Sequence, residues 1–100
     1  MINKVKLIIS DRSKLHDEDD YNIEICRERL IEILSKDEES TILILNELNE
    51  KEILLASEVF EEVAYNLQSN RYIECLKSIS LKYPNLNLEE SIEVAEEYMD

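Results

Sequence analysis

NEKEILLASEVFEEVAYNLQS, residues 49–69, is the stretch that most clearly indicates the fold. Asn49 precedes Glu52 by three positions, which is close to a capping box, a pair whose side chains each accept a backbone N–H of the other residue. The apolar residues that follow recur every three or four positions, as on the buried side of a helix. We therefore predict one helix over residues 49–69, buried through Ala56, Val59, Phe60, Val63 and Leu67.

Glycine is absent from all 100 residues, although average usage would supply roughly seven. Two-residue β-hairpin turns favour glycine because their backbone needs positive φ angles. Phosphate-binding loops and dinucleotide-binding turns also depend on glycine. The composition therefore favours helices and argues against nucleotide-binding proteins.

The remaining apolar residues divide the chain into further short helices. Their spacing of three to four residues is typical of helices that bury one side. Short polar segments separate them, as in bundles of antiparallel helices. We predict these helices over residues 21–36, 41–48, 71–82 and 88–99.

Polar residues and one proline predict where these helices begin and end. Ser40 is a candidate cap for the helix over residues 41–48, and Asn87 with Glu90 repeats the capping pattern before the last helix. Pro84 ends the preceding helix because proline restricts the residue before it. At the joint near residue 70 we expect Asn70 to replace glycine in a left-handed conformation.

Two segments are compatible with either a helix or a strand. Residues 2–9, which we predict to be a helix, contain apolar positions at both spacings, and residues 41–45 are rich in β-branched side chains. We predict an all-α fold, a compact bundle of four to five antiparallel helices that forms a single domain over residues 1–100. The alternative is an α fold with a small two-stranded sheet from residues 4–9 and 41–45.

The chain is strongly acidic, with 24 Asp and Glu against 11 Lys and Arg, a formal net charge of −13. Nucleic acids and anionic membranes attract basic proteins and would repel this one. We therefore expect a basic protein partner and no direct binding to nucleic acid or membrane. High net charge also favours a soluble monomer before a complex forms.

The sequence offers little for catalysis, and we predict a protein that is not an enzyme and has no metal and no cofactor. His16 is the only histidine and lies in a polar stretch without positioned partners. The consecutive acids of residues 17–20 lack the alternation and the glycine turn of a calcium loop. Cys26 and Cys75 occupy inward helix positions, where we expect reduced, shielded thiols.

The predicted location is the cytoplasm. No apolar run approaches the ~20 residues of a membrane span, and the first residues lack the apolar stretch of a signal peptide. Reduced cysteines fit that compartment.

Acidic residues without interspersed lysines predict the surface that contacts the partner. Like charges four residues apart cost a few tenths of a kcal/mol each, so stability alone does not favour such a row. Tyr65, Tyr72 and Tyr98 are candidate aromatic anchors, since tyrosine is enriched at interface centres. The predicted partner-binding residues are Glu58, Glu61, Glu62, Tyr65, Glu89, Glu93, Glu96, Glu97, Tyr98 and Asp100.

A resemblance to a known family covers residues 48–98. The segments NEKE at 49–52, SEVFEEVA at 57–64 and KYPNL at 82–86 resemble small all-helical immunity proteins of bacterial contact-dependent growth inhibition systems. The resemblance implies a non-catalytic protein that binds one cognate toxin domain in the cytoplasm and blocks it. Such toxins are often nucleases that act on tRNA. The alternative function is an acidic helical adaptor or nucleic-acid mimic that binds another basic protein.

Overall fold

Helices account for the regular structure of residues 2–100, which are the residues that the computed structural model describes. A 3₁₀ turn, Ser57–Val59, joins α4 to α5, and a second, Pro84–Leu86, precedes α7. Within the described residues the α-helices are α1 (Ile2–Ser13), α2 (Asp20–Leu34), α3 (Glu38–Glu47), α4 (Glu50–Ala56), α5 (Phe60–Leu67), α6 (Asn70–Lys82) and α7 (Glu89–Glu97).

The predicted all-α class is confirmed, and the alternative with a small sheet is wrong. Residues 4–9 lie within α1 and residues 41–45 within α3, and no strand occurs in residues 2–100. The number of helices is higher than the four to five predicted: counting α4, the 3₁₀ turn and α5 as one interrupted helix, the described chain has six. Residues 2–9, predicted to be a helix, lie within α1, whose residues Val5, Ile8 and Ile9 are buried in the core.

The predicted capping box is confirmed, but the single long helix after it is not. The side chain of Asn49 accepts the N–H of Glu52, and that of Glu52 accepts the N–H of Asn49, both at 2.9 Å. The helix is interrupted at Ser57, whose hydroxyl donates to the Leu54 carbonyl. A serine that bonds the preceding turn competes with the helical backbone and often bends the helix.

The predicted cap of α3 is wrong by three residues. Asp37, and not Ser40, caps the helix: its carboxylate accepts the Ser40 N–H at 2.9 Å. Hydrogen bonds from the side chain and the backbone of Ser40 lower the pKa of Asp37. A carboxylate here also faces the positive end of the helix dipole, which makes aspartate a strong cap.

The left-handed residues are also placed differently from the prediction. Gln68 (φ 48°) ends α5 in the left-handed conformation, whereas Asn70 is the first residue of α6. Asn87 is left-handed as well (φ 54°), so Leu88 becomes the cap residue of α7 and no side chain caps that helix. The predicted Asn87–Glu90 pair is therefore wrong, because the 3₁₀ turn that Pro84 begins uses Asn87 as its own end.

One continuous cluster of buried side chains forms the core, with contributions from all seven α-helices. The pair α5 and α7 and the pair α1 and α2 pack most extensively. Tyr72 lies in this cluster and donates its hydroxyl hydrogen to the Phe60 carbonyl at 3.0 Å, so it is a core residue and not a surface anchor. None of the helices in residues 2–100 has both the length and the apolar character that crossing a bilayer requires.

Candidate partner-binding surface

Four of the predicted partner-binding residues meet in one surface groove of about 570 Å³. Two of them, Tyr65 on α5 and Tyr98 just after α7, are large aromatic side chains that remain 61% and 46% exposed. They come together because α5 packs against α7. We call this the tyrosine groove; it is lined by Ile31, Glu61, Glu62, Tyr65, Asn66 and Tyr98.

The tyrosine groove has an excess of negative charge. Partial burial raises the pKa of Glu62, and the neighbouring carboxylates of Glu61 and Glu24 raise it further, although Arg27 acts in the opposite direction. Arg27 is itself paired with Glu24 and Glu58. Among the ion pairs of residues 2–100, none includes Glu61 or Glu62. The groove therefore presents carboxylates whose charge the chain itself leaves unbalanced.

The raised pKa of Glu62, caused mainly by partial burial, predicts that Glu62→Gln stabilises the protein at neutral pH. Because the folded-state pKa of Glu62 is raised from its ordinary value of 4.5, folding favours the protonated form, and that contribution is lost as the pH rises through the folded pKa. The neutral glutamine avoids this loss, by no more than about 1 kcal/mol because solvent screens an exposed carboxylate. Urea unfolding at pH 7 and pH 4 should show a gain at pH 7 that shrinks at pH 4.

Glu52→Gln is the matched control and should behave with the opposite sign. Although burial acts to raise the pKa of Glu52, its hydrogen bonds from the Asn49 backbone and from Lys6 lower it. Its ionised form therefore stabilises the fold above its ordinary pKa of 4.5, and this contribution is lost as the pH falls through the lower folded pKa. Equal changes in stability of the two variants would show that folding does not disfavour the ionised form of Glu62.

Gln68 positions the groove, and sequence reasoning missed it. Its amide nitrogen donates to the carbonyls of Tyr65 (2.9 Å) and Tyr98 (3.0 Å), and its amide oxygen accepts the Asp100 N–H (2.8 Å). These bonds attach the end of the chain to the end of α5. No sequence signal identifies the residue, since glutamine is not a typical left-handed residue.

We predict that Gln68→Gly releases the end of the chain. Glycine suits the left-handed backbone, but it removes three hydrogen bonds, so the Asp100 amide should exchange its hydrogen several-fold faster. Asn87→Gly is the control, because it places glycine at the other left-handed residue, which does not line the tyrosine groove. Residue-resolved hydrogen exchange checks this; unchanged exchange in Gln68→Gly would mean that other contacts hold the terminus.

Glu58 does not line the tyrosine groove and belongs instead to a partly buried ion-pair cluster. It accepts two hydrogen bonds from the Arg12 guanidinium, at 3.0 and 2.7 Å, and one from Arg27 at 3.4 Å. The hydrogen bond with Glu58 raises the pKa of Arg12. This carboxylate is thus paired within the chain with two arginines and is not one of the unpaired carboxylates of the tyrosine groove.

Three other predicted residues lie on a second groove, of about 460 Å³, between α6 and α7. Its acidic side is formed by Glu89, Glu93 and Glu96 of α7, and an exposed leucine, Leu81, lies at the end of α6. We call it the leucine groove; it is lined by Lys77, Ser80, Leu81, Pro84, Glu89, Ile92, Glu93 and Glu96. Glu97 and Asp100 are exposed but line neither groove.

The residues examined above as candidates for catalysis or metal binding make local structural contacts. His16 accepts the Glu18 N–H through Nδ1, and Asp19 caps α2 by accepting the Asn22 N–H. Cys26 and Cys75 are buried and unpaired, as predicted, and burial raises the pKa of the Cys75 thiol. Nowhere in residues 2–100 do three potential metal ligands cluster.

Comparison of the chain with protein-family models, with curated proteins and with solved structures finds no match.

Proposed function

We propose that this protein is a non-catalytic immunity protein that binds a cognate toxin domain, a basic nuclease acting on tRNA in the cytoplasm, and blocks it through the tyrosine groove. The observation that carries the proposal is the grouping of two exposed tyrosines with two carboxylates whose charge the chain leaves unbalanced. The resemblance of residues 48–98 to immunity proteins supplies the class of partner.

The groove is chemically suited to an arginine or lysine side chain. The faces of Tyr65 and Tyr98 can contact a cation, an attraction of about 0.5–2 kcal/mol. Glu61 and Glu62 can each form an ion pair with it, and a guanidinium can bond a carboxylate through two parallel hydrogen bonds. Burial is the main cause of the raised pKa of Glu62, and a bound cation would offset the smaller contribution from the carboxylates of Glu61 and Glu24.

Inhibition of the toxin is expected from the way in which nucleases bind RNA. A nuclease holds the RNA backbone with lysine and arginine side chains, which neutralise phosphates. An inhibitor that captures those side chains removes the contacts that RNA needs. The accessible surface is 6209 Å², so a standard interface of about 800 Å² per partner would use roughly an eighth of it.

The proposal predicts that a toxin domain is encoded next to this gene, and the product of the neighbouring gene is the test protein. Co-expression should rescue cells from the toxin, and the purified chain should inhibit cleavage of tRNA. The association rate constant should fall at least about tenfold between 50 and 500 mM salt, because charge complementarity accelerates encounter. Absence of rescue contradicts the function, and a rate indifferent to salt contradicts the acidic groove as the contact.

A further inference from the structure

The leucine groove has an apolar centre that is open to solvent. Leu81 is 83% exposed at the end of α6, beside Pro84 and opposite Ile92, which is buried in the α7 face. A single exposed leucine is common on protein surfaces. Here it borders a groove of about 460 Å³, so an apolar side chain from a partner can be enclosed between α6 and α7.

The rim of this groove is acidic along two turns of α7. Glu89, Glu93 and Glu96 occupy positions i, i+4 and i+7, which places them along one side of the helix over about 10 Å. Of these three glutamates, only Glu96 forms an ion pair within residues 2–100; its carboxylate lies 3.5 Å from the Lys77 ammonium, and both side chains are about half exposed. Exposed ion pairs of this kind contribute little to the stability of a fold, so a cation of the partner can replace Lys77 beside Glu96.

We propose that the leucine groove binds a basic amphipathic helix of a protein partner. The helix places one apolar side chain between Leu81 and Ile92, and lysines or arginines at positions i, i+4 and i+7 face the three glutamates. This is the helix-in-groove mode, in which an amphipathic helix lays its apolar face into a groove and matching charges set its orientation. The surface is separate from the tyrosine groove, so the inference does not depend on the proposed function.

The test uses two synthetic peptides and the isotope-labelled full chain. One peptide is a helix with leucines on one face and lysines at i, i+4 and i+7, and the other has glutamates in place of the lysines. We expect the lysine peptide to shift the amide NMR signals of Leu81, Ile92 and Glu93, and the glutamate peptide to leave them unchanged. Shifts centred on Tyr65 and Tyr98, or equal binding of both peptides, would overturn the proposal.

Variants separate specific binding from general attraction to an acidic protein. Leu81→Ser should lower the affinity for the lysine peptide about tenfold or more. The double variant Glu89→Gln, Glu93→Gln should lower this affinity and also make it less dependent on salt. Leu43→Ser, at another exposed leucine, on α3, is the matched control and should bind as the wild type does. If Leu81→Ser binds the lysine peptide with unchanged affinity, the proposal is contradicted. It is also contradicted if the Leu81 signals shift with protein concentration alone, because a second copy of the chain would then occupy the groove.

Discussion

Glu62→Lys is expected to weaken inhibition of the toxin domain by about a hundred-fold or more, the largest effect on binding that we predict. The substitution removes an attraction and places a like charge against the partner's cation. Close charge pairs across interfaces couple by about 1.5–7 kcal/mol, and a hundred-fold change corresponds to about 2.8 kcal/mol. The measurement is the inhibition constant in a tRNA cleavage assay, together with rescue of growth in cells.

The control for this prediction is Glu50→Lys. Glu50 is exposed on the first turn of α4, and it lines neither groove. The two variants have the same net charge, so general electrostatic attraction falls equally in both. An equal loss of inhibition would contradict the tyrosine groove as the contact, and it would support an acidic surface that attracts basic proteins without a defined site.

Glu58→Ala is expected to lower the free energy of unfolding by about 2–3 kcal/mol, the largest effect on stability that we predict. The change leaves the Arg12 guanidinium, whose side chain is only 13% exposed, without its two hydrogen bonds to Glu58. Breaking a partly buried ion pair by removing one partner leaves an uncompensated charge, which costs more than the pair itself contributes. Urea unfolding measures the loss, and the melting temperature should fall by roughly 10–20 °C.

Glu24→Ala is the matched control, because Glu24 pairs only weakly with Arg27, at 3.8 Å, and is 60% exposed. Its loss should change stability by no more than about 0.5 kcal/mol. The inhibition constant of Glu58→Ala, measured where the variant is folded, should stay within a few-fold of the wild type. Wild-type stability combined with weakened inhibition would return Glu58 to the contact surface.

Local signals in the sequence determined the fold class and several helix boundaries. The Asn49–Glu52 capping box and the end of α6 before Pro84 depend on interactions between residues at most three positions apart, so their pattern is visible without the fold. The ambiguous residues 4–9 became a helix because α1 buries Val5, Ile8 and Ile9 against the core. Periodicity permitted both structures there, and tertiary packing selected one.

Contacts between distant residues decided the roles of the acidic side chains. Glu58 and Glu62 lie in the same acidic stretch, yet their roles differ. Glu58 pairs with Arg12, which is 46 positions away in the sequence. Glu62 instead lines a groove formed by residues of α2 and α5 together with Tyr98. Gln68 acquires its role from Tyr98 and Asp100, 30 and 32 positions away. The sequence alone thus determined a helical, acidic protein with these residues as candidates. Only the packing of the helices decided which carboxylates are neutralised within the fold and which remain available, because that depends on where each cation lies in space.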